Sequence, residues 1–428
     1  MTNLSIATFN DAPIEADRAC RGSRGLWIFI AIVVVVFAAA PFYLSDAWMS
    51  VLGKAYIAAL FALAFNLLFG QAGMLSFGHA AYFGIGAFAA IHAMEAVQDG
   101  LLWLPTPLMP LTGALAGLAA GAIAGIFASR RSGVYFAMVT LAISELLYTI
   151  APNLQEIFGG ESGISSYREP FLIFNYGRES HVYTTIFGWF VLCALLLHLL
   201  TRTLFGRLAV ALRESETRLP ALGFNVYRTK VLLFALSGMF AGIAGALLSI
   251  TNESANYLTF GVGTSATVVL NTFIGGVSVF LGPAIGAIIM TLFGYFVSDL
   301  TRSWLLYQGL IFIALMLLAP RGVASLAIAS FDDVSTHGVS GLKRVLTVAV
   351  SVALVGFGIV MFVELFSAMF TRDYRVNLER TGELAPIYFL WRMWDPLSVL
   401  TWLLPVVSVA AGTLAVRFGV KPRTEATE

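Results

Sequence analysis

The chain has 428 residues, of which 59% are hydrophobic and only 11% charged, with a formal net charge of +1 and a mean hydropathy of +0.85. Soluble domains carry about 25% charged residues, so most of this chain cannot face water, and no global basic field exists to attract nucleic acid. Cys20 and Cys193 form no CxxC, so neither a disulfide framework nor a metal cluster is indicated.

A helix needs about 20 apolar residues to cross the hydrocarbon core. The first apolar run, 26–44, contains Ala38-Ala39-Ala40, which resembles a small-residue cleavage site. Pro41 follows it and a long polar segment precedes it, so the run is expected to be retained as a helix. In order, the apolar runs predict twelve spans: 26–44, 49–69, 79–97, 108–128, 133–151, 183–201, 229–251, 262–281, 283–298, 304–319, 345–370 and 386–416. Gly282-Pro283 could be a break inside a re-entrant element, and Pro396 could divide the last run. The expected fold is all-α: a polytopic transmembrane bundle of about ten core helices plus a C-terminal helical hairpin. The expected organisation is a cytoplasmic segment 1–25, a transmembrane domain 26–325, a cytoplasmic linker 326–344, a hairpin 345–416 and a cytoplasmic tail 417–428.

With both termini inside, seventeen Lys and Arg residues fall on the cytoplasmic side and seven on the other, as the positive-inside rule requires. Four arginines in 371–392 run against that assignment. Gly113, Gly117, Gly121 and Gly125 recur every fourth residue, and Gly238 and Gly242 repeat the spacing. Such stripes let helix backbones approach closely and imply packing rather than chemistry. A faint internal echo links Asn66-x-x-x-Gly70 to Asn271-x-x-x-Gly275, each followed by further glycines, as in transporters built from repeats with interrupted helices.

Chemistry-bearing motifs are sparse. None of the four lysines sits in a phosphate-cradling G-x-x-x-x-G-K-[ST], no H-E-x-x-H or G-x-S-x-G occurs, and the five histidines lack metal-ligand spacing. The segment 66–79 places Asn66, Gln71, Ser76 and His79 among glycines inside an apolar stretch. Irregular backbone at membrane depth is tolerated where it lines a cavity or lies buried in protein. These side chains therefore either line a pathway, together with Asn271, or cap helix ends. Glu145, near Thr140 and Ser144, is an ionisable group within a span: either a polar lining or an acid bonded to a neighbouring helix. Glu364 stands close enough to Arg372 to approach an interface. Glu161, in the glycine-rich turn of the long outward loop 152–182, is a candidate contact for a docking protein or a plain solvated residue.

The loop 202–228 carries Arg213, Glu214, Glu216 and Arg218 between apolar residues such as Leu208, Leu212 and Leu219, the pattern of a short amphipathic helix along the membrane. Pro220 should disturb that helix and Gly223 should stop it. Such a helix suits a groove on another protein; the alternative is a basic loop that only fixes orientation.

Four segments together resemble the LivM-type permeases of branched-chain amino-acid ABC importers: Asn66 to Ala87 (NLLFGQAGMLSFGHAAYFGIGA), Gly133 to Ala142 (GVYFAMVTLA), the loop Arg207 to Lys230, and Gly275-Gly276 with Gly282 to Gly286 and Ala319 to Gly322. The resemblance runs from about residue 50 to 325. It implies a transport subunit without its own ATPase site that pairs with a second homologous permease subunit and two cytoplasmic ATPase subunits. ATP and Mg belong to those partners, and this chain binds no cofactor. A periplasmic substrate-binding protein would deliver a branched-chain or related apolar amino acid; relatives serve urea or short amides. Membrane lipid is the remaining partner, with no nucleic acid. The loop would be the ATPase-coupling element, containing Arg213, Glu214, Glu216, Arg218 and Gly223. In many such permeases a Glu precedes the loop glycine by six residues; here Glu216 precedes Gly223 by seven, so only the looser pattern fits. Residues 330–428 extend past the resemblance. The rival readings are an ion-coupled carrier or channel acting alone and, with no motif behind it, a membrane enzyme.

Overall fold

The computed structural model describes residues 32–171, 175–301, 303–318, 321–372, 374–376, 386–389 and 392–419. The segment 1–25, the start of the predicted span 26–44 and the end of the tail lie outside the described residues. Ala40–Phe42 forms a 3-10 turn. The helices that follow are α1 (Asp46–Asn66), α2 (His79–Gln98), α3 (Pro110–Ala128), α4 (Val134–Ile150), α5 (Glu179–Arg202), α6 (Leu204–Glu214) and α7 (Val226–Asn252). Then come α8 (Val262–Gly275), α9 (Gly282–Leu300), α10 (Trp304–Leu318), α11 (Val323–His337), α12 (Val339–Met369) and α13 (Val399–Gly419).

Among the described residues, eight helices are long and apolar enough to cross a membrane, and three more are apolar but shorter. The fold is the expected all-α polytopic bundle. Two of the predicted spans differ from the sequence reading. The run 262–281 yields only the 14-residue helix α8, about 21 Å long at 1.5 Å per residue against a hydrocarbon core of about 30 Å. It stops at Gly276, whose φ of +93° leaves the helical region, and α9 restarts at Gly282, so the Gly-Pro pair opens a helix instead of lying inside one. The run 386–416 begins as two antiparallel strands, Ile387–Phe389 and Arg392–Trp394. Its helix starts only at Val399, past Pro396, because hydropathy alone does not separate an apolar hairpin from an apolar helix. Within 326–344, α11 runs to His337 and α12 starts at Val339, joined at Gly338, whose φ is +55°.

Two compact units are present, one comprising Met1–Tyr295 with Phe312–Ser325 and the other Phe296–Ile311 with Leu326–Glu428. The first is built around α7, which packs against α1, α2 and α3. Backbones touch along the predicted glycine stripe. A Cβ at Gly117 would lie 2.3 Å from the Gly238 carbonyl oxygen, and one at Gly242 would lie 2.1 Å from that of Gly113. No side chain fits there, so the stripe is a packing surface. On α7's other side Gly245 meets α2, where an added Cβ would fall 1.8 Å from the Phe83 carbonyl oxygen. The loop after α4 returns to α7 through a two-residue antiparallel pairing, Ile164 with Ala255 and Ser165 with Ser254. Arg168 Nε donates to Glu253 Oε1 at 2.8 Å beside it.

In the second unit α12 packs along α13. Glu364 on α12 accepts hydrogen bonds from Thr301 Oγ1 and from Tyr307 OH, the latter at 2.6 Å. The carboxylate is thereby held by hydroxyls.

Candidate functional site

After Asn66 the chain widens into a π-helical turn, Leu67–Gln71, a conformation that appears mostly as single turns and is frequent at functional sites. Gly70 is needed inside it, because a Cβ there would fall 1.9 Å from Asn66 Oδ1. Gly73, at φ +71°, ends the turn, and residues 73–78 run without regular structure until α2 begins at His79. The end of α1 and its π turn therefore leave carbonyl groups without helical partners.

The predicted polar residues of this region fall into two groups. Asn66, Ser76 and His79 are buried, at 1%, 0% and 0% exposure, whereas Gln71 is half-buried at the end of the π turn. Ser237 on α7 donates to the Ala64 carbonyl oxygen at 2.5 Å, and its oxygen lies 3.0 Å from His79 Nε2. With the single hydroxyl hydrogen spent on Ala64, the imidazole donates from Nε2. Its Nδ1 has no hydrogen-bond partner among the described residues, and the same holds for Asn66 Oδ1, Ser76 Oγ and Asn271 Oδ1. The His79 ring sits between Phe61 and Phe65, at centroid distances of 5.8 and 5.5 Å.

Thr140 and Ser144 bond to backbone across the gap between elements. Thr140 Oγ1 accepts from the Phe77 amide at 3.3 Å and donates to the Ala137 carbonyl oxygen at 2.8 Å. Ser144 Oγ donates to the Phe260 carbonyl oxygen at 2.8 Å. Both residues hold α4 against irregular segments: 73–78 on one side and the entry to α8 on the other. Ser265 on α8 accepts from the Ala80 amide at 3.0 Å, so α8 also caps the start of α2. Asn271 is 3% exposed on α8. Its helix meets the π turn through Phe273 and Phe69, whose rings lie 4.8 Å apart. The two segments that echo each other in sequence thus touch in space.

Glu145 stands apart from that buried set. It borders a cavity of about 580 Å³ with Tyr148, Gly261, Val262, Thr264 and Thr267. The lining mixes a carboxylate, hydroxyls and the start of α8. Among the pathway candidates, Glu145 and Gln71 are the two that are not fully buried; Asn66, Ser76, His79, Thr140, Ser144 and Asn271 lie inside the protein. Glu161 is exposed in the turn after Gly159 and Gly160, away from this cavity's lining.

The loop between α5 and α7 folds as two helical pieces, α6 and the single turn Arg218–Ala221. Leu208, Ala209, Leu212 and Leu219 are buried, so its apolar face lies inward. Gly223 adopts φ +83°, the left-handed stop anticipated from the sequence. Arg213 and Glu216 are tied to the body. Arg213 Nη1 donates to the Gly70 carbonyl oxygen at 2.6 Å, placing a cation at the C-terminal end of the α1 π turn, where the helix dipole favours it. Glu216 Oε1 accepts from Lys230 Nζ and, at 3.1 Å, from Ser132 Oγ. Lys230 Nζ also bonds Ser132 Oγ at 2.7 Å. Glu214, Arg218 and Leu222 face outward and are exposed. Lys230, Ser132 and Ser237 were not singled out as site residues from the sequence; the signal for Lys230 was a cation two residues after Arg228 at the start of an apolar helix.

The chain matches the family described as "Branched-chain amino acid transport system / permease component" over residues 48–320. Similar proteins include the high-affinity branched-chain amino acid transport system permease protein LivM of Salmonella typhimurium, 27% identical over 321 residues that cover 69% of this chain and 74% of the relative. LivM of Escherichia coli is similar to the same extent. A probable branched-chain amino acid transport permease protein LivH of Methanocaldococcus jannaschii is 25% identical over 282 residues, 62% of this chain and 87% of the relative. No solved structure matches the chain. The chain belongs to the branched-chain amino acid transport permease family.

Proposed function

We propose that this member of the branched-chain amino acid permease family is a membrane-spanning subunit of an ATP-binding-cassette importer for branched-chain or related apolar amino acids. It pairs with a second homologous permease in a bacterial inner membrane, with both termini cytoplasmic. ATP is hydrolysed with Mg on two partner ATPases, and a periplasmic binding protein delivers the substrate. The reading is carried by one observation: the family match over 48–320 runs through both the interrupted segment 66–79 and the loop 203–225. Gln71 and Glu145 are the accessible polar groups toward a pathway, and Glu214, Arg218 and the exposed apolar Leu222 are the residues offered to an ATPase.

The test is uptake by proteoliposomes holding this chain with the second permease and ATPases encoded beside it, with the cognate binding protein supplied outside. Labelled leucine, isoleucine and valine should enter only with internal ATP, and urea or acetamide should not compete. Uptake by this chain alone under an ion gradient, without ATPases, would show an ion-coupled carrier instead.

A further inference from the structure

We propose that Arg213 is the strut through which movement of the cytoplasmic loop reaches the interrupted segment 66–79. The inference rests on the importer reading above and names the residue that carries its coupling.

Three observations converge on this residue. It ends α6, so its backbone moves with the loop, while its guanidinium holds the Gly70 carbonyl oxygen at 2.6 Å, 143 positions away in the chain. A second contact backs the first: Gly73 lies flat on the arginine stem, where a Cβ would come 2.9 Å from Arg213 Cγ and 3.4 Å from Cβ. Arg213 thus grips the π turn at its carbonyl end and at its stop. The gripped element is the kind that can shift, since a π turn and the irregular residues after it lack the full ladder of helix bonds. Beyond the turn, Phe69 meets Phe273 of α8, and Thr140 of α4 holds the Phe77 amide. A displacement of Gly70 therefore has contacts with which to reach the helices that border the Glu145 cavity. Glu216 grips elsewhere, on Lys230 and Ser132, and is the fixed hinge of the same loop.

A bare capping role is the competing explanation, and it predicts loss of stability without loss of transmission. The experiment uses the assembled importer with a thiol introduced by Phe77→Cys, on a background lacking Cys20. Phe77 is an exposed side chain of the interrupted segment, and Cys193 is buried. Thiol labelling is read with and without a non-hydrolysable ATP analogue, in chains carrying Arg213, Arg213→Ala and Arg213→Gln. With Arg213, labelling should change on nucleotide binding. In both variants the change should vanish and uptake should fall about tenfold, within the range of typical coupling factors, while the ATPases remain bound and active. Should Arg213→Ala fail to accumulate, Arg213→Gln carries the test, since it keeps a short polar side chain. Nucleotide-dependent labelling retained in either accumulating variant, or absent with Arg213 itself, overturns the proposal. A separate pair, Arg218→Glu with Leu222→Asp, addresses the importer reading. If that pair keeps both ATPases and full uptake, the loop is not the docking element, whatever Arg213 does.

Discussion

Lys230 and Glu216 form an ion pair at the mouth of the bundle in which the two partners are unequally exposed: the lysine side chain is 5% exposed and the glutamate 42%. Ser132, from the turn between α3 and α4, completes the contact. The ammonium is the buried member, and the charge that balances it is the carboxylate that the loop brings to it. Glu216 is therefore an anchor of the loop before it is anything a partner touches.

Glu216→Lys should destabilise the chain more than Glu216→Gln, because it sets a second ammonium against a buried one. Breaking a buried pair costs about 3–5 kcal/mol, and solvent on the glutamate side reduces this to about 1–2 kcal/mol for Glu216→Gln. The double variant Glu216→Gln with Lys230→Met should recover most of that loss. Thermal midpoints in detergent for the parent chain, Glu216→Gln, Lys230→Met and the double variant form the cycle; additive losses would mean that the pair contributes no coupling.

Gly242→Val should abolish accumulation of folded protein. Its Cβ would lie 2.1 Å from the Gly113 carbonyl oxygen, and backbone cannot retreat without separating α3 from α7. Gly188→Ala on α5 is the contrasting change, since nothing lies within 4 Å of its Cβ. It should raise stability by up to about 1 kcal/mol through helix propensity and a less flexible unfolded chain. Size-exclusion profiles after heating would separate the two, and equal tolerance of both changes would refute the packing role.

Cysteines placed at Trp103 and Glu161 should react with a membrane-impermeant thiol reagent applied from outside, and cysteines at Arg131 and Arg218 should not. All four positions are exposed, so reactivity reports sidedness and not burial. Strong external labelling at 218 would invert the orientation.

Truncation after residue 330 should leave a chain that reaches the membrane and assembles, with a lower thermal midpoint. The cut removes Glu364, so Thr301 and Tyr307 lose the carboxylate that accepts from both. Tyr307 is 5% exposed, and a buried hydroxyl deprived of its acceptor costs about 1–3 kcal/mol. The full-length Glu364→Gln variant keeps an acceptor and should lose less. Loss of uptake at normal membrane levels would give 331–428 a direct part in transport.

The amino-acid sequence by itself determined the class, the places of the long helices and the glycine face of the α3–α7 contact. Those properties are local and additive: twenty apolar residues choose the bilayer wherever they lie in the chain, and a stripe of glycines every fourth residue has one use. The same local rules misjudged the shorter runs, as at 262–281, where a glycine at positive φ cut the helix short, and at 386–398, where apolar residues paired as strands. Only the tertiary structure decided what the polar side chains do. Arg213 and Glu216 sit three positions apart and carry equal and opposite charge, yet one reaches Gly70, 143 residues away, and the other Lys230, 14 residues away. Likewise Asn66 and Gln71 stand in one glycine-rich stretch, and one is sealed in while the other is not. A polar group at membrane depth must find a partner or water within about 3 Å. Which partner is in reach depends on how helices cross, a property that no window of neighbouring residues contains.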